Sequence, residues 1–312
     1  MKKIAIFGEC MIELNGEPFG SMHQTYGGDT LNTATYLARV SQGNQLEISY
    51  ISALGTDKLS QGMLAHWQND GIKTDWVLFD KARQPGLYLI QLDKFGERTF
   101  LYWRNQSAAR YVLQHQNYPE ILAQLSTVDV IYLSGISLAI LPENDRTLFI
   151  QQLADLKKAG VKIAFDSNYR PALWDNLQQT QNCYQALLPL VDVALVTFDD
   201  EQLVWQDENE QQTISRLKQY NIETIVVKSG KNGAICCHND EIVNVPTEIV
   251  ESVVDTTSAG DAFNAGFFNG YLQNRSLITC CQRGNRLAGI VIQHKGAIID
   301  KAATSHLVQE FN

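Results

Sequence analysis

The stretch DTTSAGDAFNAGF, residues 255–267, sets two carboxylates, three hydroxyls and a glycine ahead of an apolar run. Ala262, Phe263, Ala265, Phe267, Phe268, Tyr271 and Leu272 make the following helix apolar on most sides, which predicts a buried helix. Its N-terminus offers unpaired backbone N–H groups and the positive end of the helix dipole. The small residues Ser258, Ala259 and Gly260 let a ligand approach that backbone closely. Such a terminus suits an anion, and phosphate in particular.

Asp261 then stands beside an anion site, where its charge opposes binding unless it has work there. Accepting a proton from an attacking hydroxyl is work that fits, because phosphoryl transfer needs a base near the nucleophile. The helix terminus is expected to keep the carboxylate ionised. The plainer reading makes Asp261 a helix cap, with Thr256, Thr257 and Ser258 as ordinary turn residues. This segment alone does not decide between the two.

Working outward, short apolar runs recur at 3–9, 47–54, 128–136, 161–168, 192–198 and 224–230. Several are apolar at nearly every position, as strands of a parallel sheet covered on both faces are. Amphipathic stretches lie between them; in TLFIQQLADLKKAG apolar residues recur at helical spacing and Gly160 stands where a helix ends. The alternation predicts an α/β fold, a three-layer α/β/α sandwich around a mostly parallel sheet. Residues 10–26 and 85–104 break the rhythm. The second segment alternates apolar and polar residues around DKFGER, which predicts a β-hairpin. Together they predict a small β-sheet lid inserted in a single domain of residues 1–312.

Of 312 residues, 45% are hydrophobic, and the formal net charge is -9. The acidic balance argues against a nucleic-acid partner, yet leaves room for a small anionic substrate in a locally basic cleft. Six cysteines, none in metal-ligand spacing, read as reduced and mostly buried thiols. The start MKKIAIFGEC is too soon charged for a signal peptide, and no apolar run approaches a membrane span, so a cytoplasmic location is expected. The six histidines show no ligand spacing. There is no G-x-x-x-x-G-K-[ST] and no G-x-G-x-x-G, so neither a P-loop nor an ordinary dinucleotide site is present at motif level.

DTTSAGDAFNAGF resembles the C-terminal signature of the ribokinase-like (PfkB) carbohydrate kinases, and GGDTLNTATYLARV (27–40) resembles their N-terminal signature. Both occur in the family's order, and the likeness spans essentially the whole chain. FGECMIEL, PGLY, GERTF, YWRN, NYRP and the late GAII resemble members that act on an acid sugar, 2-keto-3-deoxy-D-gluconate. The resemblance implies ATP-dependent phosphorylation of that sugar at its terminal hydroxyl. It implies Asp261 as base, with Ser258, Ala259 and Gly260 forming the anion hole. It places Gly27, Gly28, Asp29, Asn32, Tyr88, Tyr102, Arg104 and Arg170 at the sugar. It places Asn168, Lys228, Ser229, Gly230, Gly233 and Asn285 along ATP. Mg²⁺ held by ATP phosphates and water is implied, as are a monovalent cation near Asp255 and Thr257 and a homo-oligomer joined through the lid. Arginine suits the sugar's carboxylate, because its planar fork donates two parallel hydrogen bonds. By themselves Arg104 reads as a solvated hairpin charge, Arg170 as a loop residue before Pro171, and Tyr88 and Tyr102 as core aromatics. Two alternatives stay open: a family member acting on ribose, fructose or a nucleoside, and a non-catalytic sugar-binding regulator on the same scaffold. Preference between C4 epimers is not legible in the residues.

Overall fold

The computed structural model describes residues 1–44, 46–92, 98–239 and 241–311. Its strands in chain order are β1 (Lys2–Phe7), β2 (Met11–Gly16), β3 (Met22–Gly27), β4 (Leu46–Gly55), β5 (Val77–Asp80), β6 (Leu87–Leu92), β7 (Arg98–Trp103), β8 (Val130–Ser134), β9 (Lys162–Asp166), β10 (Val193–Thr197), β11 (Thr224–Lys228), β12 (Ala234–His238) and β13 (Glu241–Val245). Nine of these form one sheet in the order β13-β12-β11-β10-β9-β8-β1-β4-β5. From β11 to β5 all neighbours run parallel. The hairpin β12–β13 closes the other edge antiparallel. All six apolar runs fall on strands of this sheet.

Along β1 and β8, successive side chains enter opposite cores. Ile4, Ile6, Val130 and Tyr132 pack with Leu31, Phe263 and Phe267. Ala5, Phe7, Ile131 and Leu133 pack with Phe149, Tyr184 and Leu217. The helices Asp29–Val40, Ala259–Leu272 and Leu277–Val291 thus cover one face. The helices Glu143–Lys158, Leu177–Leu187 and Glu210–Lys218 cover the other. Helix Glu143–Lys158 carries Glu143 and Asp145 in its first turn and Lys157 and Lys158 in its last, the order its dipole favours. It stops where Gly160 takes φ 95° and donates to Lys157 O at 2.9 Å.

The remaining strands form a second sheet, β3-β2-β6-β7. β6 and β7 pair antiparallel as the expected hairpin; its turn, residues 93–97, lies outside the described residues. The chain enters this sheet through Gly8-Glu9-Cys10, directly after β1, and returns to the larger body through Arg104, directly after β7. The first crossing and the last therefore start or end beside the C-terminal end of a central strand. That edge of a parallel α/β sheet is where ligand crevices form.

Candidate active site

Helix Ala259–Leu272 is buried along almost its whole length, as its composition requires. Ser258 precedes it with φ 66°, a left-handed conformation, and its side chain caps nothing. The Ala259 amide donates back to Thr256 O at 3.2 Å, and the Ala262 amide closes onto Ser258 O at 2.8 Å. Among the described residues, the amides of Gly260 and Asp261 find no acceptor. They are the free donors of this helix terminus, beside the buried Ser258 Oγ.

Asp261 does not cap the helix. Its Oδ2 accepts a hydrogen bond from Asn32 Nδ2 at 2.8 Å. Asn32 lies one turn into helix Asp29–Val40, and its Oδ1 accepts from the Gly28 amide at 3.3 Å. Thr33 Oγ1 adds a bond to Asp261 O at 3.2 Å. Gly28 must be glycine because a Cβ there would lie 2.1 Å from Glu9 O. The two signature segments thus meet at one carboxylate.

Burial pushes the Asp261 carboxyl up, the charge of Asp29 pushes it further, and Asp166 adds to both; the Asn32 hydrogen bond opposes them, leaving a pKa of about 7. The helix terminus alone was expected to keep this group ionised, but desolvation and two neighbouring carboxylates outweigh it. A base with a pKa near neutrality is suited to take a proton from an alcohol. Asp29 is also raised, first by burial and then by Asp166, against hydrogen bonds from Ser134 and Asn168.

Behind the helix terminus lies a buried polar network. Lys228 Nζ donates to Asp166 Oδ2 at 2.7 Å and to Asn264 Oδ1 at 3.1 Å. Asn264 Nδ2 donates to Asp166 Oδ2 at 2.6 Å and to Tyr132 OH at 3.0 Å. Lys228 Nζ would stand 3.6 Å from a Cβ placed on Gly260, which sets this side chain beside the helix terminus. Asn168 follows with φ 28°, unusual for a non-glycine residue. Its amide group reaches Asp29 Oδ2 at 2.7 Å, joining a residue assigned to ATP with one assigned to the sugar.

On the sugar side, Tyr88 and Tyr102 are cross-strand partners on β6 and β7 with ring centroids 6.0 Å apart. Tyr88 is buried and donates its hydroxyl to Glu13 Oε2; a Cβ on Gly27 would lie 2.9 Å from that hydroxyl. Tyr102 is exposed. Arg104 is no solvated hairpin charge: it is buried and bound through Nε (2.8 Å) and Nη2 to Glu9 Oε2. Arg170 is half exposed, donating to Tyr169 O at 2.8 Å and standing 3.8 Å from Asp200.

On the nucleotide side, Gly233 turns the chain between β11 and β12 with φ 88°, where a Cβ would meet Val245 O at 2.3 Å. Ser229 Oγ donates to Glu210 Oε1 at 2.8 Å, and Gly230 opens a short 3-10 turn. Asn285 Nδ2 holds Val245 O (3.0 Å) and Pro246 O (3.3 Å), at the wall of a cavity of about 970 Å³. Ile249, Val250, Gly289 and Phe311 also line it. The chain leaves this cavity at Ser252 and reaches the helix terminus at Ser258. Asp255 accepts from the Thr257 amide (3.0 Å) and the Gly296 amide (2.7 Å), tying two loops together there. Among the described residues no group of three or more His, Cys, Asp or Glu is placed to hold a metal ion. Among the described residues no helix is long and apolar enough to cross a membrane. All six cysteines are buried, and none is in a disulfide.

Sequence reasoning does not single out Asp166, Asn264, Glu9 or Glu13. A signal exists for Asn264, an amide set inside the apolar run DAFNAGFF, and for Glu9 and Glu13, carboxylates in GECMIEL. Each is buried, so each requires a partner.

A mostly parallel sheet covered on both faces by helices, a smaller second sheet, and a buried carboxylate beside free amides at a helix terminus suit a kinase of small hydroxylated substrates. The pfkB family carbohydrate kinase profile matches residues 1–304, and the chain belongs to that family. The 2-dehydro-3-deoxygluconokinase of Haemophilus influenzae is 64% identical over 314 residues, covering 100% of both chains. The 2-dehydro-3-deoxygluconokinase of Escherichia coli strain K12 is 41% identical, covering 97% of this chain and 98% of that one. In fold, the chain is similar to the fructokinase with bound ATP from Xylella fastidiosa, with TM-score 0.82, 22% identity and coverage of 99% and 98%.

Proposed function

We propose that the protein transfers the γ-phosphoryl group of ATP to the terminal hydroxyl of 2-keto-3-deoxy-D-gluconate, giving the 6-phosphate. The observation that carries this reading is the Asp261 carboxylate, held by Asn32 beside the free amides of Gly260 and Asp261. The sugar hydroxyl gives its proton to Asp261 as its oxygen bonds to the γ-phosphorus. The bond from that phosphorus to the departing ADP oxygen breaks. The free amides and the nearby Lys228 ammonium balance charge on the moving group. Full-length identity of 64% to a 2-dehydro-3-deoxygluconokinase supports the acid sugar as acceptor.

The cavity beside Asn285 suits the nucleobase, with the phosphates running past Ser258 toward Gly260. Mg²⁺ enters with the nucleotide, held by phosphate oxygens and water. Carbonyls of the loops that Asp255 ties together would hold a monovalent cation. Gly27, Gly28, Tyr88 and Arg104 enclose the sugar, with its carboxylate at Arg104. A neutral-sugar reading draws support from one feature, the compensation of Arg104 by Glu9.

The lid suits a second copy of the chain. On the face away from Tyr88, Ile12, Leu14 and Leu87 pack against the main core, while Leu101 and Trp103 at the outer strand β7 stay exposed. Trp103 is 58% exposed there. A solution mass above one chain, reduced to 35.0 kDa by Trp103→Glu, is the expected result; a wild-type monomer contradicts it.

The functional test is ADP release with 2-keto-3-deoxygluconate, its C4 epimer, ribose and fructose. The acid sugar is expected to exceed the two neutral sugars by roughly 10²-fold or more in kcat/KM. A preference for ribose or fructose overturns the substrate, and binding without ADP release overturns the enzyme.

A further inference from the structure

We infer that Glu9 is a positioning residue for substrate selection, holding Arg104 so that one edge of its guanidinium faces the carboxylate of the acid sugar; this rests on the function proposed above. Two of the three guanidinium nitrogens, Nε and Nη2, donate to the same oxygen, Glu9 Oε2. Among the described residues Nη1 donates to no protein group. The guanidinium therefore has a fixed orientation and a remaining edge, Nη1 with the second proton of Nη2, that matches a carboxylate.

Burial gives this arrangement its stiffness. The Arg104 side chain is 7% exposed and that of Glu9 1%. The second Glu9 oxygen, Oε1, is buried without a partner. It is packed against Gly86, where a Cβ would stand 2.8 Å from Oε1 and 3.1 Å from Arg104 Cβ. An unsatisfied buried carboxylate oxygen is costly, and well-packed apolar residues in place of a buried ion pair are often at least as stable, so the pair adds little to stability by itself. Position adds to the case. Glu9 lies on the first crossing into the small sheet and Arg104 on the last return from it, so the pair ties the first and the last of its connections together beside Gly28.

Three effects of Glu9 are separable: its length, its charge and its support of the fold. Glu9→Asp keeps the charge but draws the guanidinium back by a methylene. Glu9→Gln keeps the length and an acceptor but removes the charge. Positioning predicts that E9D raises KM for the acid sugar about tenfold or more, with KM for ATP within about twofold. E9Q is expected to raise it less, by about threefold. The reverse order, with E9Q the more impaired, shows that charge and not position matters. Equal changes in both variants, or changes in KM for ATP matching those for the sugar, show a structural role. Either result overturns the inference. Turnover of 2-keto-3-deoxygluconate by the wild type tests the functional reading separately, and the variants are compared on the acid sugar that the wild type accepts.

Discussion

Asn32 donates its side-chain amide to the Asp261 carboxylate at 2.8 Å, joining residues 229 positions apart. The bond holds the carboxylate away from the helix cap position and lowers its pKa against burial. Removing it therefore has two consequences of known sign. Asn32→Ala leaves the base less well oriented, and the loss of one charge-assisted bond, about 1.5–3 kcal/mol, corresponds to a roughly 10- to 100-fold fall in kcat. It also raises the Asp261 pKa, so the acid limb of kcat/KM moves to higher pH. A pH-rate profile of the variant checks both.

For the wild type, a base that must be ionised and has a pKa of about 7 gives a kcat/KM that declines as pH falls below that value. A flat profile between pH 5 and 8 would exclude a group of about that pKa from the reaction.

The same shift has a price in stability. The folded carboxyl binds its proton more tightly than the unfolded one, whose value is 3.8. Stability from this group is thus present at low pH and lost as pH rises through about 4 to 7. Asn cannot ionise, so Asp261→Asn is expected to stabilise the protein more at pH 8 than at pH 4. Denaturant midpoints at the two values measure it; a gain independent of pH contradicts the assignment of the shift.

The Lys228–Asp166 pair is buried on both sides, with side-chain exposures of 7% and 4%. Lys228→Met leaves Asp166 charged and without its cation, at a cost of about 3–5 kcal/mol. The double variant D166N/K228M removes both charges and is expected to recover much of that loss. Urea unfolding of the two variants distinguishes them, and equal destabilisation contradicts the pairing.

The fold was legible because its signals are local. Apolar runs at 3–9 and 128–136 mark central strands, since a parallel sheet covered on both faces has no polar side. The helix after Asp261 was legible for the same reason. The edge strands β5 and β13 were not, because VLFD is only four residues long and EIVNV mixes apolar with polar residues. At the site, the sequence singled out Asp261, Asn32 and Arg104 but not their relationships. The pairing of Asn32 with Asp261, of Arg104 with Glu9, and of Lys228 with Asp166 and Asn264 spans 36 to 229 positions. Nothing in local pattern encodes such distances. The near-neutral carboxylate was missed for the same cause: it depends on Asp29 and Asp166, which only the fold brings near.

The proposal that Asp261 takes the proton is tested most directly by steady-state ADP release from Asp261→Asn with saturating ATP and 2-keto-3-deoxygluconate, beside calorimetric binding of the sugar. The expected result is a fall in kcat of about 10²–10⁴-fold with sugar affinity retained within a few-fold. Turnover close to that of the wild type would contradict it.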